Sequence, residues 1–293
     1  MDVLSYFKEI LYLNKEYFRH KVRVLKEKNS SPNYSVLLDD LRGNYGPIFV
    51  LSTGRCGTRF LTNILQLGKD VDVYHMPQPE LIYHSKKAYE EGTKRFDTFK
   101  EIVYASRIEL IQQSYFLNRK YIETNNRITF FAPHLFSLFP KARFIHLIRD
   151  PINFIKSGMS RGWYSGWHRH DSGRIIPKHC DGFWPSMSQE CKLAWLWKET
   201  NLFITNYLDQ MPQSQFLIIR AEDAFSSTEK LLKIIKFCRI HDMSVRRVEK
   251  VAKRPANKGK VAVPDYSQWD KHIQLEIHDV VSDLAKRFNY RIK

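Results

Sequence analysis

The sequence has only four cysteines in 293 residues. They are Cys56, Cys180, Cys191 and Cys238. Their sparse and uneven spacing argues against a disulfide framework and favours a reducing compartment. Long apolar runs are also lacking, so no stretch is predicted to cross a bilayer. Asp2, Lys8 and Glu9 interrupt the N-terminus where a signal peptide would be apolar. These absences predict a soluble protein of the cytoplasm.

Acidic residues are outnumbered, because 31 Asp and Glu face 47 Lys and Arg. The formal charge of +16 predicts anionic partners. The alternative, to which we give equal weight, is that the positive charge keeps the protein soluble and attracts polyanions without specificity. Apolar residues make up 43% and aromatics 14%, which is typical of a globular chain. Internal repeats and low-complexity segments are absent.

Residues 1–28 carry a basic amphipathic helical pattern. Such a helix can rest on a membrane surface. It can also pack on its own domain. Packing on a second copy of the chain instead would make the protein an oligomer. We therefore predict an N-terminal helical extension over residues 1–45 and one main domain over residues 46–293.

The main domain is organised around residues 47–61. Ile48 to Leu51 is continuously apolar, as expected for a strand buried on both faces of a parallel sheet. A short polar turn follows, and a helical pattern begins at Phe60. A glycine-bearing turn that leads into a helix N-terminus suits a phosphate or sulfate. The residues predicted to bind it are Ser52, Gly54, Arg55, Cys56, Gly57, Thr58 and Arg59.

Two common nucleotide fingerprints are missing from this turn. A Walker A loop would place Lys-Ser or Lys-Thr after Gly57, and a dinucleotide fingerprint would need a third glycine after Gly54 and Gly57. The turn alone therefore predicts an anion site, with a nucleotide as the favoured ligand.

A second anion site is predicted from residues 142–158. Phe144 to Ile148 forms another buried strand pattern, and Pro151 stands where the next helix should begin. Arg149 lies at the end of the strand, and Ser157 lies two turns into the helix.

Together these motifs resemble the sulfotransferases that use 3′-phosphoadenosine 5′-phosphosulfate (PAPS). The first turn resembles their 5′-phosphosulfate loop, and the pair Arg149 and Ser157 resembles their 3′-phosphate site. Residues 216–223 are similar to their late strand and arginine-acid turn, and residues 257–260 to their lysine-glycine loop. The resemblance runs from Gly46 to the C-terminus. It implies an α/β sulfotransferase fold, with a P-loop-like parallel sheet flanked by helices on both faces. The alternation of strand and helix patterns predicts the same architecture.

The resemblance also implies roles for the site residues. Arg55 and the N–H groups of Gly57 and Thr58 would hold the 5′-phosphosulfate, whereas Arg149, Ser157, Lys258 and Gly259 would hold the 3′-phosphate. Many family members carry lysine where Arg55 stands. Arginine keeps the charge but does not readily lend a proton. We interpret this change as the mark of a subfamily, with loss of activity as the alternative.

Three side chains are candidates for the base that takes the proton of the acceptor. His75 follows a predicted strand over residues 71–74 and precedes two prolines, and its ordinary pKa near 6.5 suits the task. Glu80 lies in the same loop and would need desolvation to be equally basic. Glu123 ends a short predicted strand at the same edge of the sheet.

Residues 161–189 interrupt the alternation of strands and helices, and we call them the insertion. A long loop within a compact domain is usually functional or disordered. Its aromatic and cationic residues suit a sugar ring bearing acidic groups, or a stacked base. The predicted acceptor-binding residues are Trp163, Tyr164, Trp167, His168 and Arg169. The histidine and cysteine spacings match no closed zinc pattern, so no metal is predicted.

The sequence thus predicts transfer of a sulfuryl group from PAPS to a hydroxyl, with a glycan or glycoconjugate as the favoured acceptor, no metal, and no nucleic-acid partner. A kinase-like P-loop protein is one alternative, although it would need the missing Walker lysine. A polyanion- or nucleic-acid-binding module is another, although it leaves the two anion sites unexplained.

Overall fold

The computed structural model describes residues 34–168, 170–178, 183–241, 243–253 and 263–292. The chain divides into two compact units, residues 1–42 and residues 43–293. The first described helix is α1 (Tyr34–Asn44). The helix predicted over residues 1–28 lies outside the described residues.

The second unit contains a sheet of five parallel strands. They are β1 (Ile48–Leu51), β2 (Val71–Tyr74), β3 (Lys120–Glu123), β4 (Arg143–Ile148) and β5 (Phe216–Arg220). Their order across the sheet is β2-β3-β1-β4-β5, and every neighbouring pair is parallel. The predicted parallel sheet is confirmed. All five carboxyl ends meet at one edge, where ligands of such sheets gather.

Helices connect the strands. They are α2 (Thr58–Leu65), α3 (Ile82–Glu91), α4 (Phe96–Phe116), α5 (Ala132–Leu138), α6 (Pro151–Met159), α7 (Phe183–Ser186), α8 (Gln189–Leu208), α9 (Ala221–Ser226), α10 (Thr228–Phe237), α11 (Val245–Ala252) and α12 (Lys271–Arg287). Apolar residues at helical spacing over residues 189–208 predict α8 with these bounds, whereas no such pattern predicts α3. The sequence Ser226-Ser-Thr-Glu229 predicts a capping box for the helix that follows, with Ser226 as its N-cap. That prediction is wrong, because α9 continues through Ser226 and the Ser227 hydroxyl instead accepts the Lys230 N–H at 3.4 Å.

Strand β1 is buried on both faces of the sheet. Ile48 and Val50 join an apolar cluster that contains residues of α2, α10 and α11. Phe49 lies on the opposite face, where its ring contacts those of Tyr121 and Phe144. Burying each such side chain contributes about 1.5–3 kcal/mol, so the central strand is held firmly from both sides. The first residue of the loop after β1 is therefore held in place by the packing of the strand.

Two further observations concern the described part of the chain. Cys56, Cys191 and Cys238 are buried free thiols. None of the described helices is both long enough and apolar enough to span a bilayer.

Candidate active site

The loop after β1, residues 52–57, is built from unusual backbone angles. Gly54, Arg55 and Gly57 have φ values of 79°, 55° and 81°. Positive φ suits glycine but strains Arg55, and such strain is retained mainly where the surroundings enforce it for function. Successive residues in this region turn their N–H groups toward one side and form a concave site for anions. We refer to residues 52–57 as the anion loop.

Close neighbours leave little room for a side chain at either glycine of the anion loop. A Cβ on Gly57 would overlap the ring of Phe225, which lies on α9. A Cβ on Gly54 would lie 3.1 Å from Asn126 Cγ and 3.3 Å from Trp163 Cη2. The turn after β5 and the start of the insertion therefore pack directly against the loop.

Helix α2 presents a free N-terminus to the loop. Its N-cap is Gly57, and no side chain caps the first turn. Its first N–H groups thus remain available to a ligand, and the helix dipole favours a negative charge there. Cys56 does not contribute its side chain to this site. Its Sγ lies 3.1 Å from the Gly54 carbonyl, and burial raises its pKa to about 11.

Arg55 connects the two predicted anion sites. Its Nε donates to Ser157 Oγ at 3.1 Å, and its carbonyl accepts a hydrogen bond from Arg149 Nη1 at 2.6 Å. Burial lowers the pKa of Arg55, and the charges of Arg161 and Arg149 lower it further. The structure thus places Arg55, Arg149 and Ser157 together.

Carboxylates do not pair directly with this arginine cluster in the described part of the chain, although the charges of Arg149 and Asp150 act on each other. Within the described ranges, Arg55, Arg59, Arg149 and Arg161 form no ion pair with a carboxylate. Arg161 is exposed two residues beyond α6 and is not among the binding residues predicted from the sequence. Its place four residues after Ser157 could have indicated it, since residues i and i+4 share one helix face.

Hydrogen bonds from two neighbouring elements hold the turn after β4 in place. Trp197 Nε1 donates to the Arg149 carbonyl at 2.8 Å. Asp150 caps α6 by accepting the Asn153 N–H at 2.8 Å, while its own N–H donates to Glu222 at 3.1 Å. The predicted arginine-acid turn after β5 therefore braces the turn that carries Arg149.

His75 follows β2 and is half-buried. Its Nδ1 lies 3.0 Å from the carbonyl oxygen of Thr124 and 3.1 Å from Thr124 Oγ1. Burial lowers the pKa of His75, and the charge of Arg59 lowers it further, whereas the hydrogen bond to Thr124 acts in the opposite direction. The imidazole is therefore neutral near pH 7 and able to accept a proton.

Glu80 forms an ion pair with Arg127 and accepts a hydrogen bond from Gln78 Nε2 at 3.2 Å. Burial would raise the pKa of Glu80, but the hydrogen bond and charge of Arg127 outweigh it, and the net shift is downward. A carboxylate with a lowered pKa is a weaker base.

Glu123 is fully buried at the end of β3. Its oxygens accept hydrogen bonds from Arg107 Nε at 2.8 Å, Tyr121 Oη at 2.8 Å and Asn125 Nδ2 at 3.0 Å. Arg107 is itself only 1% exposed. This carboxylate is enclosed by donors and away from solvent, which is the setting of a structural ion pair.

The predicted acceptor residues of the insertion differ in their settings. Trp163 is only 8% exposed, and the guanidinium of Arg174 lies 3.8 Å from the centre of its ring. Tyr164 donates through its Oη to the Ile175 carbonyl at 2.6 Å. His168 contacts Arg174 at 3.2 Å. These three side chains brace the insertion itself.

Trp167 is 94% exposed and is free to stack on a ligand. Arg169 of the insertion, and Lys258 and Gly259 of the lysine-glycine loop, lie outside the described residues. Their predicted roles stay predictions.

An open groove of about 600 Å³ begins at the loop that follows His75. Its wall is mostly apolar and is formed by Gln78, Pro79, Glu80, Leu81, Ile82, His84, Ile102, Ala105 and Ser106. Gly173 of the insertion packs on Ile82 of α3. The insertion therefore packs against one of the residues that line the groove.

Among the described residues, no group of three or more His, Cys, Asp and Glu side chains could hold a metal ion. The charged groups around the anion loop include several arginines, which suit phosphate and sulfate oxygens.

A sequence profile of the Sulfotransferase family matches residues 47–241, which is more than half of the chain. The chain therefore belongs to the sulfotransferase family. No curated protein matches it.

Solved structures show the same fold. The sulfotransferase domain from the curacin biosynthetic pathway is 14% identical with a TM-score of 0.50, and the match covers 85% of this chain and 99% of that one. The corresponding domain of a Synechococcus olefin synthase is 16% identical with a TM-score of 0.50, covering 85% and 98%. A sulfotransferase from Mycobacterium avium is 11% identical with a TM-score of 0.51, covering 85% and 78%. At these identities the likeness establishes the fold alone.

Proposed function

We propose that this sulfotransferase uses PAPS as donor and transfers its sulfuryl group to a hydroxyl of the acceptor. The observation that carries the proposal is the cluster of Arg55, Arg149 and Arg161 around the anion loop, which forms no ion pair with a carboxylate within the described ranges. Holding like charges together costs free energy unless an anion joins them. A donor with phosphates at both its 5′ and 3′ positions would supply that anion.

The residues of the anion loop fit the 5′-phosphosulfate. Arg55 and the free N–H groups of α2 would hold it, since both favour negative charge in a fixed geometry. Arg149 and Ser157 would hold the 3′-phosphate, with Lys258 and Gly259 as further predicted contacts. The bound donor supplies an activated sulfuryl group, whose bond to the bridging phosphate oxygen breaks as the acceptor oxygen bonds to sulfur.

His75 is the proposed general base. Its Nδ1 is engaged by Thr124, and its Nε2 makes no hydrogen bond to the described residues. The proton of the acceptor hydroxyl would pass to Nε2 as the new S–O bond forms. Arg55 would stabilise the charge that develops on the departing phosphate, without giving up a proton.

The proposed acceptor is a glycan or glycoconjugate. Exposed Trp167 offers a flat apolar face of the kind on which sugar rings stack, and the groove beside Glu80 could take an apolar portion of the same acceptor. In a screen of labelled PAPS against free sugars, alkyl glycosides and simple alcohols, alkyl glycosides should be sulfated best. Trp167→Ala should weaken acceptor binding, whereas Phe183→Ala, another exposed aromatic of the insertion, serves as the control.

The donor is tested by thermal shift with adenosine 3′,5′-bisphosphate, adenosine 5′-monophosphate and ATP. The bisphosphate should stabilise the protein most, because it alone places a phosphate at the 3′ position. Equal stabilisation by all three would remove the proposed 3′-phosphate site. Transfer from labelled PAPS should also continue in excess chelator, and activity restored only by added metal would contradict the mechanism.

The base is tested by turnover and nucleotide affinity of His75→Ala, Glu80→Gln and Glu123→Gln. His75→Ala should lower turnover by roughly a hundredfold to ten-thousandfold and leave the affinity for the bisphosphate nearly unchanged. Near-native turnover of His75→Ala, with a large loss in Glu80→Gln, would move the role to the carboxylate.

A further inference from the structure

The His75 ring is held in one protonation form by its neighbours. The contact of 3.0 Å between Nδ1 and the Thr124 carbonyl needs a hydrogen, and a carbonyl oxygen can only accept. As long as the nearby Thr124 hydroxyl does not donate to Nδ1, the proton of the neutral ring is therefore on Nδ1, which leaves the Nε2 lone pair as the basic site. Arg59 of α2 is a charged group that acts on this ring.

The Thr124 hydroxyl links His75 to Thr62 in the interior of the domain. Thr124 Oγ1 lies 3.1 Å from His75 Nδ1 and 2.6 Å from Thr62 Oγ1. Thr62 Oγ1 in turn donates to the Thr58 carbonyl at 2.8 Å. Thr62 is 4% exposed and Thr124 is fully buried, so water does not replace these contacts freely.

The direction of each hydrogen bond follows from counting hydrogens. A threonine hydroxyl has one hydrogen, and that of Thr62 is used on the Thr58 carbonyl. The Thr124 hydrogen then fills the 2.6 Å contact between the two hydroxyls in preference to the longer 3.3 Å contact with the Tyr74 carbonyl, and the Thr124 oxygen turns a lone pair toward His75. Thr62 thereby prevents the Thr124 hydroxyl from donating to Nδ1, which would require the opposite tautomer.

We propose that Thr62 is a positioning residue for His75: by accepting the hydrogen of Thr124, it keeps the imidazole proton on Nδ1 and the Nε2 lone pair free. This inference rests on the proposed role of His75 as the base. Thr62 lies one turn into α2, the helix whose N-terminus closes the anion loop. The same helix therefore orients the base and faces the donor.

The arrangement predicts opposite effects for two similar substitutions. Thr62→Val removes the acceptor of the Thr124 hydrogen, so that hydroxyl can turn and donate to Nδ1, which favours the tautomer protonated on Nε2. Thr124→Val removes the competing hydroxyl but keeps the carbonyl, so the proton stays on Nδ1. The double variant should therefore regain the native tautomer that Thr62→Val loses.

The experiment is nitrogen NMR of the full chain labelled with ¹⁵N-histidine, read at neutral pH, with the His75 signals identified by their loss in His75→Ala. Each variant is also assayed for turnover and for affinity for adenosine 3′,5′-bisphosphate. Thr205→Val is the matched control, because the Thr205 hydroxyl is buried on α8 and donates to the Asn201 carbonyl four residues back, as Thr62 does to Thr58. Thr62→Ser keeps the hydroxyl and should behave as the native protein.

We expect a protonated Nδ1 in the native protein, in Thr124→Val and in the double variant, with a shift toward protonated Nε2 in Thr62→Val alone. Turnover of Thr62→Val should fall by about tenfold, the size of one hydrogen bond, with unchanged nucleotide affinity. An unchanged tautomer in Thr62→Val, as would follow if the Thr124 hydroxyl turned to the Tyr74 carbonyl 3.3 Å away, would overturn the proposal. The tautomer is read without catalysis, so this result is independent of whether His75→Ala remains active.

Discussion

Buried Arg107 and the arginines around the anion loop differ in whether a carboxylate pairs with the guanidinium. Arg107 is buried on α4 and is paired with buried Glu123, with further hydrogen bonds from its guanidinium to the carbonyls of Pro79 and Ser106. Arg55 and Arg149 lie at the edge of the sheet and contact a hydroxyl and a carbonyl instead of a carboxylate. Arg107 thus has a carboxylate partner within the fold, although its Nη2 makes no hydrogen bond, whereas Arg55 and Arg149 form no ion pair with a carboxylate among the described residues.

This difference separates a structural charge from a binding charge. A buried cation needs an internal partner, because the desolvated charge would otherwise cost several kcal/mol. Cations at the edge keep some hydration, so the fold tolerates them together until an anion arrives. Changes in the first group should therefore affect stability, and changes in the second should affect ligand binding.

The largest effect is expected from Glu123→Gln. This substitution leaves the Arg107 charge buried without a counter-charge, which should lower the free energy of unfolding by about 3–5 kcal/mol. Urea unfolding followed by fluorescence measures it. The control is Arg107→Met combined with Glu123→Leu, which removes both charges and should recover most of the loss. A loss below about 1 kcal/mol in Glu123→Gln would show that the pair is not structural.

Arg149→Gln should act on binding. It removes a charged partner of the 3′-phosphate, so the affinity for adenosine 3′,5′-bisphosphate should fall by about 1.5–3 kcal/mol, while that for adenosine 5′-monophosphate changes much less. Calorimetric titration of both nucleotides measures the difference. Arg287→Gln, which removes an exposed arginine paired with Asp209, is the control and should leave both affinities intact. Equal losses for both nucleotides would remove Arg149 from the 3′ site.

A smaller effect is expected for the pair of Glu80 and Arg127, which is partly exposed. Arg127 holds the pKa of Glu80 below its ordinary value, so the folded state favours the carboxylate. The stabilisation is complete above about pH 4.3, the unfolded value, and is lost as pH falls through the folded pKa. Glu80→Gln should cost about 0.5–1 kcal/mol at pH 7 and nothing at low pH. A cost that is the same at pH 7 and pH 3 would contradict the ion pair.

The smallest effect on stability is expected from Arg161→Gln. Arg161 adds an exposed like charge near Arg55, so its removal should leave the unfolding free energy unchanged or raise it by at most about 0.5 kcal/mol. Affinity for the bisphosphate should nevertheless fall a few-fold. Opposite signs for stability and binding are the signature of an unsatisfied cation; a variant that loses both would place Arg161 with the structural arginines.

The sequence predicts the parts of this molecule that depend on local patterns. The apolar run of β1, the glycines of the anion loop and the bounds of α8 follow from residues that are close in the chain. The setting of Glu123 does not, because its partner Arg107 lies on α4, sixteen residues earlier. The alternation of aromatic and basic residues in the insertion likewise does not reveal that Trp163 packs inward on Gly54 while Trp167 faces solvent.

The contact between Gly57 and Phe225 limits how this protein can vary by mutation. Any side chain at position 57 would meet both a positive φ and an aromatic ring on α9, 168 residues later in the chain. Shortening Phe225 alone would relieve the overlap but not the backbone angle, which asparagine tolerates better than most residues. An asparagine at position 57 would thus be acceptable only after position 225 had become small. The two positions are therefore expected to change together, with position 225 changing first.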